Sequence, residues 1–271
     1  MDIQAGDKVV ITQSETLLIQ SYPEGHRPEW IRSCLESAQS LAQKRGWAYH
    51  CMGDELFEPL PPSFVKQVSG RGPILSDLGR LLALRSELHR YPKVLWLDAD
   101  VLIFNPDRFE LPLGTFGFGR ERWVQPKKKA TGKTLRWSVH HSLCNALCYF
   151  ERGNPFLDFY IYSSRSIIER ADPNYIAPQM IGPKLLSALH SIANLPFTQC
   201  LGSASPDLLI DVVHGGGPAL DRYRLEVDQN SPDAGLNLCQ SLLGSMTYRG
   251  ERLTAEHLLE AILLLKDRGV V

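Results

Sequence analysis

Two aspartates separated by one residue are the part of this sequence best suited to chemistry. Asp98 and Asp100 directly follow an almost wholly apolar run over 94–97. Carboxylate oxygens are ligands that Mg²⁺ and Mn²⁺ prefer, and two of them leave coordination positions open for phosphate oxygens. A cation held there would stabilise the charge that grows on a departing diphosphate. Two aspartates after a strand can also form an ordinary turn, so the surrounding elements decide between these interpretations.

The elements next to the aspartates predict that they lie at the tip of a buried strand. Four consecutive apolar residues before Asp98 fit a central strand covered on both faces. A helix is predicted to begin after Ser76 as its N-cap, and Pro92 lies beyond its end. Since ligands of open α/β sheets bind at the carboxyl ends of strands, the position itself favours a binding site.

The rest of the chain predicts an α/β fold, because strand and helix signals alternate over the first 110 residues. The predicted elements of this half are a strand over 8–12, a helix from Pro28 to Gly46, a strand over 47–51 and a loop over 59–62. Beyond residue 110 the predicted elements are strands over 114–119 and 145–150, a basic loop over 127–136, helices over 154–168 and after Gly182, and an amphipathic helix over 254–268.

Composition excludes several classes of protein. The chain has 271 residues, 44% of them hydrophobic, and a formal net charge of -1, so it has no overall field to draw it to nucleic acid. The first residues lack the charged start and apolar run of a secretory signal, and no stretch approaches the ~20 apolar residues that span a bilayer. We therefore expect a cytoplasmic protein, with peripheral membrane contact left open.

The motif and its surroundings resemble a known family. Asp77-Leu78-Gly79-Arg80, a leucine-rich helix and then Val94 to Val101 resemble the core of DxD-containing sugar transferases. Weaker similarity over 145–146, 154–157 and 181–183 points to the family of yeast initiating mannosyltransferases and bacterial capsular transferases. The resemblance covers residues 5 to 215 and is specific over 77–106.

The resemblance implies a fold, a donor and a metal. It implies a GT-A-like, Rossmann-like fold with a mostly parallel sheet flanked by helices, a UDP- or GDP-sugar donor, Mn²⁺ or Mg²⁺, and transfer with retention at the anomeric carbon. We expect a single domain over 1–271, with a nucleotide-binding half over 5–110 and an acceptor-side half over 111–271. The acceptor remains open among a glycan, a lipid and a protein.

The resemblance also implies roles for five residues. Asp100 would be the chief metal ligand, and Asp98 would contact the ribose or share the metal. Asp77 and Arg80 would bind the donor sugar or phosphate from a helix N-terminus, where the helix dipole favours an anion. Asn145 would face the donor sugar or the acceptor. Helix capping for Asp77, a surface ion pair for Arg80 and a turn for Asn145 are the simpler alternatives.

A third metal ligand is expected from the C-terminal part. Many GT-A enzymes complete the metal site with a late histidine, and His214 follows the apolar run over 208–213. The glycines over 215–217 would let backbone amides approach phosphate. The basic loop over 127–136 would serve as a flap over a diphosphate or recognise an acidic acceptor. The simpler alternatives are that His214 is a strand-end histidine beside a glycine turn and that the basic segment is an ordinary solvated loop.

Two competing functions stay open. A strand followed by Asp-x-Asp also describes phosphatases of the haloacid-dehalogenase type, although these place the motif near their first strand and have a small hydroxyl or β-branched residue where this chain has Leu102. The other competitor is a catalytically silent module that binds a nucleotide sugar. In that case the apolar face of the C-terminal helix would contact a second copy or a membrane, unless it is buried in the chain's own core.

Overall fold

The computed structural model of the chain describes residues 14–25, 27–128, 134–227 and 233–270. The strands in these ranges are β1 (Thr16–Ser21), β2 (Ala48–Met52), β3 (Lys93–Leu97), β4 (Val101–Ile103), β5 (Phe116–Lys128), β6 (Thr134–Glu151), β7 (Phe197–Thr198), β8 (Leu201–Ser203) and β9 (Gly235–Asn237). The α-helices are α1 (Glu29–Arg45), α2 (Pro62–Val68), α3 (Gly72–Glu87), α4 (Pro155–Arg170), α5 (Pro183–Ala193), α6 (Pro206–Val213), α7 (Pro218–Arg224) and α8 (Ala255–Arg268).

A six-stranded sheet with the order β2-β1-β3-β6-β5-β7 forms the centre of the molecule. Strand β1 pairs in parallel with β2 and β3, and β7 pairs in parallel with β5, whereas β6 runs antiparallel to both of its neighbours. A second sheet of three strands has the order β4-β9-β8. Because three of the five pairs in the large sheet are parallel and helices cover it, the predicted α/β fold with a mostly parallel sheet is confirmed.

Strand β3 is buried on both faces, as its apolar sequence predicts. Val94 and Trp96 belong to the core that the sheet shares with α2, α3 and α4. Leu95 and Leu97 belong to the core on the opposite face, which contains residues of α1. Successive side chains of a strand point to opposite faces, so a strand between two helical layers has to be apolar at every position.

The first half of the fold agrees with the sequence except at some helix ends. Helix α1 begins after Pro28 and ends at Gly46, whose φ of 68° lies in the left-handed region that favours glycine. Helix α3 begins at Gly72 and not after Ser76, since Pro73 occupies its first turn. The predicted loop over 59–62 is cut short because α2 begins at Pro62. The predicted strand over 8–12 lies outside the described residues.

The second half differs more from the sequence prediction. The strands predicted over 114–119 and 145–150 are parts of β5 and β6, which form one long hairpin. Residues 127–128 and 134–136 of the predicted basic loop therefore lie in strands, and 129–133 lie outside the described part of the chain. The helices predicted over 154–168 and after Gly182 correspond to α4 and α5.

The C-terminal helix buries its apolar face inside this molecule. Thr254 caps α8, and Leu258, Ile262 and Leu265 are buried where the helix packs against α1 and α6. The helix face that could have contacted a second copy or a membrane thus packs against the chain's own core. Leu263, which belongs to that face, is strongly exposed. In the described ranges no helix is both long and apolar enough to cross a bilayer.

Candidate active site at the end of strand β3

Backbone hydrogen bonds fix the turn that carries Asp98 and Asp100. The Asp98 amide donates to the Ala146 carbonyl on β6 at 2.8 Å, and the Val101 amide donates back to the Asp98 carbonyl at 3.1 Å. The same carbonyl accepts from Gln20 Nε2 at 3.1 Å, and the Leu238 amide donates to the Asp100 carbonyl at 2.9 Å. The turn is therefore held by the large sheet on one side and by the segment after β9 on the other.

One carboxylate oxygen of each aspartate is held by neighbouring residues. Asp98 Oδ1 accepts from Trp96 Nε1 at 2.8 Å and lies 2.9 Å from Arg80 Nη1. Asp100 Oδ2 accepts from the Gln240 amide at 2.7 Å. Within the described chain no other residue donates to Asp98 Oδ2 or Asp100 Oδ1, which leaves one oxygen of each carboxylate available to a ligand.

The two aspartates supply carboxylate oxygens, the type of ligand that a divalent cation such as Mg²⁺ or Mn²⁺ prefers. Burial, and then the negative charge of Asp98, raise the pKa of Asp100 from 3.8 to about 6. Among the described side chains no three or more His, Cys, Asp or Glu residues form a group that could hold a metal ion. Two carboxylate oxygens alone suit Mg²⁺ or Mn²⁺, which commonly complete their coordination with phosphate and water oxygens.

Two clefts meet at the aspartates. The cleft that we call the Tyr22 cleft has a volume of about 600 Å³, and Tyr22 and Phe57 line it. The Trp123 cleft has a volume of about 510 Å³ and is lined by residues of β5 and β6, including Trp123. Asp98 and Asp100 line both clefts, so they form a shared wall between them.

Asp77, Arg80 and Asn145 form a buried network behind Asp98. Arg80 Nη2 lies 3.3 Å from Asp77 Oδ1, and Arg80 Nη1 donates to the Asn145 carbonyl at 2.6 Å. Asn145 Nδ2 donates to Asp77 Oδ1 at 2.7 Å. Because Arg80 also pairs with Asp98, this network fixes the direction of the Asp98 carboxylate.

The helix-terminus position expected for Asp77 and Arg80 is wrong, whereas their expected role in donor binding stays a prediction. Both residues lie beyond the first turn of α3, and Arg80 is engaged by two carboxylates within the chain, so the helix dipole offers no anion site there. Burial raises the pKa of Asp77 to about 6 although Arg80 and Asn145 oppose the shift. Burial disfavours the charge of Arg80, yet Asp98 and Asp77 hold its pKa above the ordinary value. Asp77, Arg80 and Asn145 nevertheless line the Trp123 cleft.

His214 is not brought to the aspartates. The apolar run before it forms α6, and the exposed imidazole at the end of that helix lies 3.2 Å from Glu251. It is not among the residues that line the two clefts. The expectation that His214 completes the metal site is therefore corrected: its ring lies beside Glu251, at a surface that neither cleft includes.

The glycines after His214 serve the fold. The Gly216 amide donates to the Asp211 carbonyl at 2.9 Å, and the carboxylate of Asp211 accepts from the Ala219 amide at 2.8 Å. A Cβ on Gly217 would clash with the carboxylate of Asp211, so glycine allows this close approach. The expected phosphate cradle is thus replaced by a turn around a buried aspartate.

The structure adds cleft residues that the sequence analysis missed. The main ones are Glu121, Trp123, His140, Ser142 and Asn237. The four on β5 and β6 pair across the hairpin, and on β5 Glu121 and Trp123 alternate with buried residues, a period-two pattern that predicts one solvent-facing side of a strand. That signal was lost because the strand was expected to end at Gly119, where the hairpin has a bulge.

Comparisons with known proteins leave the family of this chain open. No family model and no curated protein matches it. Solved structures that it resembles include a glycosyltransferase involved in glycosylation of the major capsid of PBCV-1, at 12% identity and a TM-score of 0.45 over 90% of this chain and 98% of that one. The chain also resembles mouse xyloside xylosyltransferase 1, with 12% identity and a TM-score of 0.41. That match covers 84% of this chain and 98% of the xylosyltransferase chain.

A glycosyltransferase of Streptococcus pneumoniae, GlyE, shows the same level of similarity. It has 12% identity and a TM-score of 0.42, and the match covers 95% of this chain but 62% of that chain. With TM-scores below 0.5, these likenesses do not assign an activity to this chain. Its function has to be inferred from the two aspartates and the clefts on either side of them.

Proposed function

We propose that this chain is a metal-dependent glycosyltransferase of the GT-A type, which transfers a sugar from a UDP- or GDP-sugar to an acceptor. The observation that carries the proposal is the wall shared by the two clefts. There Asp98 and Asp100 each keep one carboxylate oxygen that no other described residue engages. A bound Mn²⁺ or Mg²⁺ would supply positive charge to the diphosphate as it departs from the sugar.

The shape of a nucleotide sugar agrees with this arrangement. Its nucleoside, diphosphate and sugar follow one another, as the Tyr22 cleft, the aspartate wall and the Trp123 cleft do. Tyr22 and Phe57 are partly buried rings on which a base can stack. On the other side Asp77 and Asn145 line the cleft beside the wall and can accept or donate hydrogen bonds to sugar hydroxyls.

The chain's own residues hold the wall ready for the ligand. Trp96 and Arg80 fix Asp98, and the Gln240 amide fixes Asp100, so neither carboxylate has to be reoriented when the donor binds. Preorganised groups of this kind lower the barrier because little rearrangement is needed during the reaction. Retention at the anomeric carbon, which the family resemblance implies, belongs to the proposal and is tested by the configuration of the product.

The test is release of UDP or GDP from a panel of UDP- and GDP-hexoses with Mn²⁺. We expect the wild type to release UDP or GDP from at least one donor. The rate of release should fall more than ~100-fold in Asp98→Asn and in Asp100→Asn, whereas the control His214→Ala should keep the wild-type rate. Hydrolysis of p-nitrophenyl phosphate that depends on Asp98 would instead support the phosphatase. Mn²⁺-dependent binding of a nucleotide sugar without release would support the silent binding module.

A further inference from the structure

The β5–β6 hairpin extends past the sheet as a ribbon with two different faces. In its register Glu121 lies opposite Ser142, Trp123 opposite His140, and Gln125 opposite Ser138. Arg122 and Val124 alternate with these residues and are buried in the core. The ribbon is therefore anchored through one face, and the other face is free to line the Trp123 cleft.

Polar groups on the cleft face are held in place by hydrogen bonds across the ribbon and by one from β8. Ser142 Oγ donates to Glu121 Oε1 at 2.6 Å, and Ser203 Oγ donates to Glu121 Oε2 at 3.2 Å. Gln125 Nε2 lies 3.0 Å from His140 Nε2. A carboxylate has about four acceptor positions, so Glu121 can still accept hydrogen bonds from a ligand.

Trp123 is a large aromatic side chain that does not pack into the hydrophobic cores of the described chain. It is partly buried in the cleft but belongs to none of the three apolar cores. Within the described residues it also makes no ring–ring or cation–π contact, whereas Trp137 on the same ribbon packs against Tyr248. A tryptophan surrounded by fixed polar groups suits a ligand that has both an apolar face and many hydroxyl groups.

The position of Trp123 along the ribbon separates it from the place expected for the donor sugar. Regular pairing runs from His140, opposite Trp123, to Cys144, which directly precedes Asn145, and these four residues span about 14 Å at 3.4 Å per residue of antiparallel strand. That distance exceeds the length of one sugar ring. A donor sugar beside Asp98 and Asn145 would therefore leave the Trp123 end of the cleft for the acceptor.

We propose that the cleft face of the ribbon is the acceptor subsite and that the acceptor is a carbohydrate, whose ring stacks on Trp123 and whose hydroxyls bind Glu121 and the Gln125–His140 pair. This inference rests on the proposed function. A lipid chain in the same place would remove water from these polar groups without giving them partners, which is unfavourable.

Binding of free saccharides tests the acceptor class. The probes are methyl glycosides of glucose, galactose, mannose and N-acetylglucosamine, with lactose, maltose and cellobiose, each followed by saturation-transfer NMR with the wild-type chain. Polyprenyl phosphate in detergent micelles and a Ser/Thr-rich peptide are the two other arms. We expect at least one saccharide to bind, and its affinity to fall about tenfold or more in Trp123→Ala while Trp123→Phe keeps part of it.

The control is Tyr162→Ala, which removes an exposed ring on α4. Saccharide affinity equal to wild type in the control supports the assignment, provided that Trp123→Ala melts cooperatively as the wild type does. If UDP or GDP binds with Mn²⁺ but no saccharide binds, or if the peptide or lipid binds in a Trp123-dependent way, the carbohydrate acceptor is wrong and the proposed function survives. If neither nucleotide binds, the proposed function fails and the acceptor assignment fails with it.

Discussion

The carboxylate of Asp100 lies where its negative charge destabilises the folded chain. Burial and the neighbouring charge of Asp98 raise its pKa from 3.8 to about 6. A carboxyl group whose pKa is higher in the folded than in the unfolded chain binds more protons when folded. The free energy of unfolding therefore falls as the pH rises from about 4 to about 6, and stays lower at higher pH. Ligand sites commonly carry such a cost in stability.

We expect Asp100→Asn to stabilise the chain at pH 7.5 in the presence of a chelator. The amide keeps an oxygen for the Gln240 amide but carries no charge, so unfolding should require about 1 to 2 kcal/mol more free energy than in wild type. At pH 4.5, where Asp100 is mostly protonated in the folded chain but mostly ionised in the unfolded chain, the difference should fall to about a third. Urea denaturation at both pH values measures this, and a variant less stable than wild type at pH 7.5 would contradict the argument.

Local sequence patterns predicted α1 and β3 because each carries its own signals. Pro28 and Gly46 mark the ends of α1, and the residues over 94–97 are apolar at every position. The run over 208–213 was ambiguous, because a short apolar stretch fits a helix as well as a strand. The hairpin of β5 and β6 was hidden by its charges, since Lys and Arg on an exposed strand look like a loop.

The candidate site was predictable only where it depends on one segment. Asp98 and Asp100 were predictable because the strand and the motif are contiguous. An Asp77–Arg80 pair three residues apart on a helix is also local. The contact of Arg80 with Asp98 requires α3 to pack on β3, and Trp123 reaches the cleft only through the register of the hairpin. No pattern within a single segment contains this information.

At the scale of elements, the segment before α5 supports the site by close packing. A Cβ on Gly182 would lie 2.7 Å from Asp77 Oδ2 and 2.9 Å from Asn145 Nδ2, closer than real contacts allow. Gly182→Ala should therefore displace the pair that orients Arg80. We expect it to lower the free energy of unfolding by about 1 to 3 kcal/mol.

The matched control for this prediction is Gly216→Ala. A Cβ there would meet nothing within 4 Å, and the glycine has no positive φ. The free energy of unfolding of this control, measured by urea denaturation, should lie within about 0.5 kcal/mol of the wild-type value. Equal denaturation midpoints for the two variants would mean that the packing around Asp77 and Asn145 tolerates an extra methyl group.

At the scale of the whole molecule, the topology brings separate segments to one wall. Strands β1 and β3 are parallel neighbours, so Tyr22 and Asp98, which follow them, lie at the same edge of the sheet. The antiparallel β5–β6 hairpin places Trp123 on the other side of the aspartates. An elongated ligand that crosses the wall would have one end in each cleft, and this geometry is the basis of the proposed function.

Calorimetric titration with UDP and GDP, with Mn²⁺ or with a chelator, tests the central claim most directly. We expect one of the nucleotides to bind the wild type and His214→Ala equally in Mn²⁺. Binding should be lost in the chelator, because the carboxylates and the diphosphate repel one another unless a cation lies between them. It should also be lost in Asp98→Ala and Asp100→Ala, because each variant removes an oxygen ligand of the cation. Undiminished nucleotide affinity in both aspartate variants, or in the chelator, would contradict the account.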